Sequence, residues 1–180
     1  MAELTVPVIK TDHILGDLEA PVVIVEYGDY QCPYCGQAYA IVKSLEREFG
    51  SDLCVVFRNF PLTQVHPLAA MAAQAAEAAG QQGKFWEMHD LLYEHQEALE
   101  FEDLLSYAQE LELDIECFSR DVEKGAFRER ISQDIRSGIR SGVNGTPTFF
   151  LNGVRYDDSW DLETITATIR KYISEIKQSA

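Results

Sequence analysis

Apolar residues run almost unbroken through "PVVIVEYGD", residues 21–29, and the run closes on Glu26, Tyr27, Gly28 and Asp29. A β-branched stretch without polar alternation predicts a strand covered on both faces, in the middle of a sheet and beside parallel neighbours. From Pro33 onward the period changes. Ala38, Ile41, Val42, Leu45 and Phe49 recur at helical spacing, and Gly50 can close that helix. "LCVVFRNF" then predicts a second strand, ended by Pro61. Beyond Pro61 helical spacing dominates. Pro67 can open a helix running to about Gln81. "KFWEMHDLLYEHQEAL" repeats apolar residues at Phe85, Met88, Leu91 and Leu92, and "FEDLLSYAQEL" gives a third helix. "DIECFSRDVEKG" and "AFRERISQDIRSGIR" supply two more, broken near Gly125. The pattern returns to strand in "TPTFFLNGVRY", where Asn152-Gly153 between apolar runs signals a hairpin. A last helix carries Leu162, Ile165, Ile169, Ile173 and Ile176 on one face.

The predicted order is strand, helix, strand, a long helical block, strand, hairpin, strand, helix. Without the block, a βαβ unit is followed by ββα, which is the α/β thioredoxin fold with a helical insertion. The chain therefore reads as a single domain, 1–180, with its core at about 13–63 and 143–178 and the insertion at about 64–142.

Composition narrows the function. A chain of 180 residues, 46% of them hydrophobic, is long enough for one domain with a substantial core. Thirty acidic against fifteen basic residues leave a net charge of −15, which opposes nonspecific binding to nucleic acid or to an anionic membrane surface. No apolar run is long enough to span a bilayer, so direct membrane insertion is not expected. The first ten residues have neither a basic leader nor a long apolar core, so the chain as written is expected to be cytoplasmic. A trimmed or partial chain would look the same and leaves an extracytoplasmic place open. Four cysteines are too few for a disulfide scaffold, and Cys54 in "LCVVF" and Cys117 in a helical pattern read as buried thiols.

The remaining two, Cys32 and Cys35 in "YGDYQCPYCGQAYA", carry the chemistry. Three readings compete. A zinc site needs four ligands, and His13, His66, His89 and His95 are scattered rather than spaced to complete one. A structural staple across two intervening residues closes too small a loop to stabilise much. A redox centre explains the surroundings best. A cysteine at the first turn of a helix has backbone N–H groups and the positive end of the helix dipole aimed at its sulfur, which favours the thiolate. Cys32 has that position, Pro33 suits the first turn because its missing N–H is not needed there, and Cys35, one turn deeper, is the natural resolving thiol.

With these residues in place a family resemblance can be stated. Glu26 precedes Cys32 by six residues, where thioredoxins and DsbA-like proteins keep a buried acid behind the resolving cysteine. "GTPTFF" resembles the loop in which they set a cis proline, here Pro147, opposite the disulfide. "HILGDLEAPVVIVEYGDYQCPYC", "FRNFPL", "KFWEMHDLLYEHQ" and "GVNGTPTFFLNG" resemble the bacterial DsbA-like branch that includes domains fused to sodium/proton antiporters. The resemblance implies a thiol–disulfide oxidoreductase acting on protein or peptide thiols, reset by an unidentified redox partner and needing no cofactor or metal. It implies that Cys32 attacks, Cys35 resolves, and Glu26 relays a proton. Thr146 would pair with an extended substrate beside Pro147, and Pro33 and Tyr34 would face it.

The intervening dipeptide is Pro33-Tyr34, as in many glutaredoxins, where strongly oxidising relatives carry histidine second. Asp29 and an acidic surface nearby would weaken the thiolate, against the helix terminus that favours it. The Cys32 pKa is therefore expected below the free value of about 8.5, and the potential at roughly −230 to −150 mV. Two other functions remain open at this stage. One is a glutathione-linked glutaredoxin-like or kappa-type enzyme, which would want a basic pocket. The other is a non-catalytic module in which the cysteines hold copper or zinc. Asn144-Gly145-Thr146 matches a glycosylation sequon but falls in the expected active-site loop, and Trp86 and His89 read as core and rim of an amphipathic helix.

Overall fold

A computed structural model describes residues 2–179. The uninterrupted apolar run becomes β2 (Val22–Gly28), after a short β1 (His13–Leu15). The first periodic segment is α1 (Pro33–Phe49), closed by Gly50 at φ 50°, and β3 (Leu53–Asn59) follows. The helical block comprises α2 (Ala69–Gln81), α3 (Phe85–Glu94), α4 (Phe101–Glu110), α5 (Ile115–Lys124) and α6 (Arg128–Arg140). Then come β4 (Thr148–Leu151), β5 (Val154–Arg155) and α7 (Leu162–Ser179).

The sheet order is β1-β3-β2-β4-β5. β2 and β3 are parallel, with Glu26 opposite Phe57, as a βαβ crossover through α1 requires. On its other side β2 pairs antiparallel with β4, Glu26 facing Phe149, so the expected parallel neighbours are one parallel and one antiparallel. β2 is nonetheless buried along nearly all its length, because helices cover both faces of the sheet. On one face Val22, Ile24 and Val55 pack with Val42 and Leu45 of α1 and Ile165 and Ile169 of α7. On the other, Val25, Tyr27, Val56 and Phe150 pack with Ile135 of α6 and with Leu4 and Val8 of an amino-terminal arm.

The helical block has a core of its own, and it is continuous with the redox motif. Tyr30, Cys32, Cys35 and Phe57 share one cluster with Ala72, Ala75, Ala76 and Ala79 of α2, Met88 and Leu92 of α3, Leu104 of α4 and Phe118 of α5. Alanines on α2 let α3, α4 and α5 approach closely, so the block is packed around small side chains. Gly28 serves the same end in β2. A Cβ there would lie 2.8 Å from the Tyr93 hydroxyl and overlap the Phe57 ring.

The arm is tied down by charge and by backbone. Arg58, 2% exposed, is bidentate to Asp12 at 2.9 Å and 2.9 Å, and also donates to the Tyr27 hydroxyl and to the carbonyls of Val6 and Pro7. Residue Glu3 bridges Val154, with Leu4 N–H donating to Gly153 O at 2.8 Å and Arg155 N–H to Ala2 O at 2.9 Å.

Several expectations are corrected. The pattern does not predict β1, a three-residue edge strand antiparallel to β3. α2 starts at Ala69, because Pro67 and Leu68 sit in a turn held by the Leu68 N–H on the Gln31 side chain. Leu162 and Ile176 are exposed, so the buried face of α7 is shorter than its apolar stripe. Cys54 is fully buried, but Cys117 is half-exposed, its sulfur accepting from Arg120 at 3.0 Å.

Candidate active site

The strand β2 delivers the chain to a turn, and the turn delivers Cys32 to the start of α1. Asp29 builds that turn. Its buried carboxylate accepts the N–H of Gln31 and of Leu62, and binds His66 Nδ1, each at 2.8 Å. Cys32 is the N-cap, extended at φ −75° and ψ 121°, with Pro33 in the first turn. At the far end of the sheet's front, the Thr146–Pro147 peptide is cis. The Cys32 thiol donates to the Thr146 carbonyl at 3.4 Å. Cys32, Cys35, Thr146 and Pro147 thus converge, although 114 residues separate Cys32 from Thr146.

Burial divides the two thiols. Tyr34 is 69% exposed and Pro33 is exposed, whereas Cys32 lies just under the surface and Cys35 is fully enclosed. The Cys32 pKa falls from 9.0 to about 5. The largest cause is the hydrogen bond from the Cys35 thiol, with further lowering from Thr146 and from the backbone N–H groups of Cys35 and Tyr34, against an opposing burial effect. The Thr146 hydroxyl is buried with no hydrogen-bonding partner among the described residues, so it is free to donate to a thiolate. Cys35 is pushed strongly the other way by burial, by its bond to Cys32 and by Glu26. The four cysteines are free thiols here.

Glu26 sits behind Cys35, 3% exposed, and its Oε1 has no hydrogen-bonding partner among the described residues. Burial raises its pKa to about 8, with the charges of Cys32 and Glu46 adding to the rise. At neutral pH it therefore carries a proton. The Tyr93 hydroxyl, over Gly28, is buried and likewise unpartnered, and its own pKa is raised by burial and by Cys35 and Glu26. His89 is buried among Tyr30, Phe57, Phe85, Trp86 and Tyr93, accepts or donates at Nδ1 with the Tyr30 hydroxyl at 3.1 Å, and is held neutral by burial, its pKa lowered to about 3.

Every site residue read from the sequence lies at this one place: Cys32, Cys35, Pro33, Tyr34, Thr146 and Pro147 at the surface end of α1, and Glu26 beneath. Sequence reasoning missed Tyr93 and the Asp29–His66 pair. It counted Asp29 as a nearby charge opposing the thiolate, but the carboxylate is turned inward onto backbone N–H groups. The pairing His66 makes had no sequence signal, because a loop contact leaves no period. Among the described residues, no group of three or more His, Cys, Asp or Glu side chains converges on a common point suited to a metal, and no helix is long and apolar enough to cross a membrane.

Fold and site together define a protein of thioredoxin fold, with a dithiol at a helix start facing a cis proline. The chain belongs to the thioredoxin family, whose model, described as Thioredoxin, matches residues 9–171. It is 49% identical over 168 residues to Na(+)/H(+) antiporter NhaA 1 of Salinispora arenicola, an alignment covering 93% of this chain and 26% of that protein. NhaA 3 of Salinispora tropica is 48% identical with the same coverage. The chain spans about a quarter of the length of these curated relatives, as a fused domain would. Among solved structures, oxidised BdbD from Bacillus subtilis superposes with a TM-score of 0.85 and 26% identity, covering 96% of this chain and 98% of that one. A thioredoxin-like oxidoreductase from Silicibacter pomeroyi gives 0.79 and 28%, with 96% and 95% covered. The fold is also that of Wolbachia pipientis alpha-DsbA1, at a TM-score of 0.82 and 20% identity, with 98% of each chain covered.

Proposed function

We propose that this chain exchanges disulfides with protein or peptide thiols through the Cys32 and Cys35 pair. The observation that carries the reading is the asymmetry of the two sulfurs: Cys32 near the surface with a pKa lowered to about 5, Cys35 enclosed and strongly raised. Likeness to the thioredoxin-like oxidoreductase from Silicibacter pomeroyi supports it.

In the oxidising direction a substrate thiolate attacks Cys32 Sγ of the Cys32–Cys35 disulfide. That bond breaks, a mixed disulfide forms on Cys32, and Cys35 leaves as a thiolate. Glu26, protonated at neutral pH, stands behind Cys35 to supply a proton. A second substrate thiolate then attacks the substrate sulfur of the mixed disulfide and releases Cys32. A thiol of low pKa leaves quickly, so the helix terminus speeds this release. The substrate gains a disulfide and the protein is left with two thiols. Reduction of a substrate disulfide is the reverse sequence, with Cys32 as attacking thiolate. Stabilising the reduced form favours the oxidising direction, and a separate redox partner must then reset the pair. Thr146, beside Cys32, offers its backbone to an extended substrate in the manner of an added strand, while Tyr34 meets it from the other side.

The test is trapping. Cys35→Ser, mixed with a peptide disulfide, should accumulate a mixed disulfide that mass spectrometry locates on Cys32, and Cys32→Ser should accumulate none on Cys35. Equal trapping on either remaining sulfur would remove the asymmetry on which the reading stands.

A further inference from the structure

Gln96 follows α3 in the turn after His95, in the helical block and far in sequence from the redox motif. Its side-chain amide reaches across to the active-site turn. Nε2 donates to the Tyr30 carbonyl at 2.8 Å and to the Cys32 carbonyl at 2.9 Å. A primary amide has two N–H donors, so both are consumed by carbonyls two residues apart. The Cys32 carbonyl also takes the first α-helical bond, from Gly36 N–H at 3.2 Å.

Gly36 makes the contact possible. A Cβ there would lie 2.8 Å from Gln96 Cδ and overlap Oε1, so any other residue would expel the amide. Glycine weakens a helix interior, and its φ at position 36 is not one that demands glycine, so the slot for Gln96 is the feature that accounts for it. The same block grips Tyr30 a second time, through the His89 ring.

We propose that Gln96 is a positioning residue of the redox turn: one amide, delivered by the helical block, fixes the Tyr30 and Cys32 carbonyls and thereby aims the first helical N–H groups at Cys32 Sγ. The peptide planes of residues 30–33 determine where the cap residue's sulfur lies relative to the N–H groups of Tyr34 and Cys35. Without the amide, the Tyr30 carbonyl loses its side-chain donor and the Cys32 carbonyl keeps only the long helical bond. Both then turn toward water, and the sulfur leaves the axis of its donors. Seating of the helical block is in this way connected to thiolate stability.

The inference rests on Cys32 being the attacking thiol, and the experiment separates the two. The rate of iodoacetamide alkylation of the reduced chain is followed against pH at the Cys32 peptide by mass spectrometry, because Cys117 is a second free thiol that is only partly buried. Gln96→Leu removes both donors at similar volume; Gly36→Ala retains the amide and displaces it. Both should raise the Cys32 midpoint by about one unit, so that alkylation at about pH 5 falls about fivefold while that at about pH 8 is unchanged. A midpoint unmoved in folded Gly36→Ala overturns the proposal, whether or not Gln96→Leu folds. A parent midpoint at the free-thiol value of about 8.5 overturns the functional reading itself.

Discussion

Reducing the Cys32–Cys35 pair replaces a bond that does not titrate with a thiolate that does, and the consequence is a stability difference that depends on pH. In the unfolded chain Cys32 holds its proton up to its ordinary value of 9.0; in the folded chain it loses it at about 5. Between those values the folded state binds fewer protons than the unfolded state, so the stability of the reduced form rises with pH. The contribution is fully present above about 9 and is lost as the pH falls through about 5. The interval corresponds to a ceiling of about 5 kcal/mol. Although little of the residue is exposed, its sulfur lies close enough to the surface for water to screen it, and about half the ceiling, about 2–3 kcal/mol, is the better expectation. On the scale of a two-electron couple this is about 50 mV of added oxidising power relative to an unperturbed dithiol. The disulfide's own effect on the unfolded chain adds a constant that pH does not alter, and Glu26 titrates in both forms. The assay is urea unfolding of the reduced and the oxidised protein at a series of pH values, followed by the fluorescence of Trp86 and Trp160. The reduced form should gain on the oxidised form by about 2 kcal/mol between about pH 5 and pH 8. A difference that does not vary with pH would refute the reasoning, whatever its sign.

Two further outcomes concern buried charge. Glu26 has a folded pKa of about 8 against 4.5, so the folded state retains a proton that the unfolded state gives up, and stability falls as pH rises through that interval. Reduced Glu26→Gln should lack this fall, and the oxidised variant should release Cys35 more slowly at neutral pH; identical pH slopes in the two reduced proteins would count against a buried, protonated Glu26. Arg58→Met removes the bidentate partner of the buried Asp12 carboxylate, leaving it the Ile9 N–H at 2.8 Å and Arg130 only at 3.9 Å, and should cost about 3–5 kcal/mol of stability by urea unfolding. A loss below about 1 kcal/mol would mean that water reaches Asp12 and the pair is not the clamp of the amino-terminal arm.

The parts of this molecule that were legible in the sequence are those that local physics determines. A run of β-branched residues has few alternatives to a central strand, and "CPYC" before a helical period places one sulfur at the dipole and one inside. Glu26 was legible through the family resemblance, which sets a buried acid six residues before Cys32. The remainder depended on contacts between segments distant in the chain. "HIL" is too short to announce β1, and only pairing with β3 makes it a strand. Whether β2 has parallel or antiparallel neighbours is decided by where β4 returns after the helical block, which no periodicity records. Leu162 and Ile176 continue the apolar stripe of α7 beyond the sheet it covers. Gln96 ends the stretch "KFWEMHDLLYEHQ", yet the role proposed for it depends on where its amide points, which no periodicity records.

Both lateral edges of the sheet are blunted. At β5 the arm of residues 2–5 is laid alongside, Leu4 and Arg155 exchanging backbone bonds with Gly153 and Ala2. At β1 the strand is only three residues long, and the Trp86 indole caps the Ile14 carbonyl at 3.2 Å. A protein that pairs with extended peptides by their backbones, as we propose for this one, is exposed to a hazard that a binder of small molecules does not meet: such a peptide can template onto any open edge and carry it into an aggregate. Under the exchange proposed here, an extended peptide meets backbone to pair with at the Thr146 loop and little along the two blunted sides of the sheet.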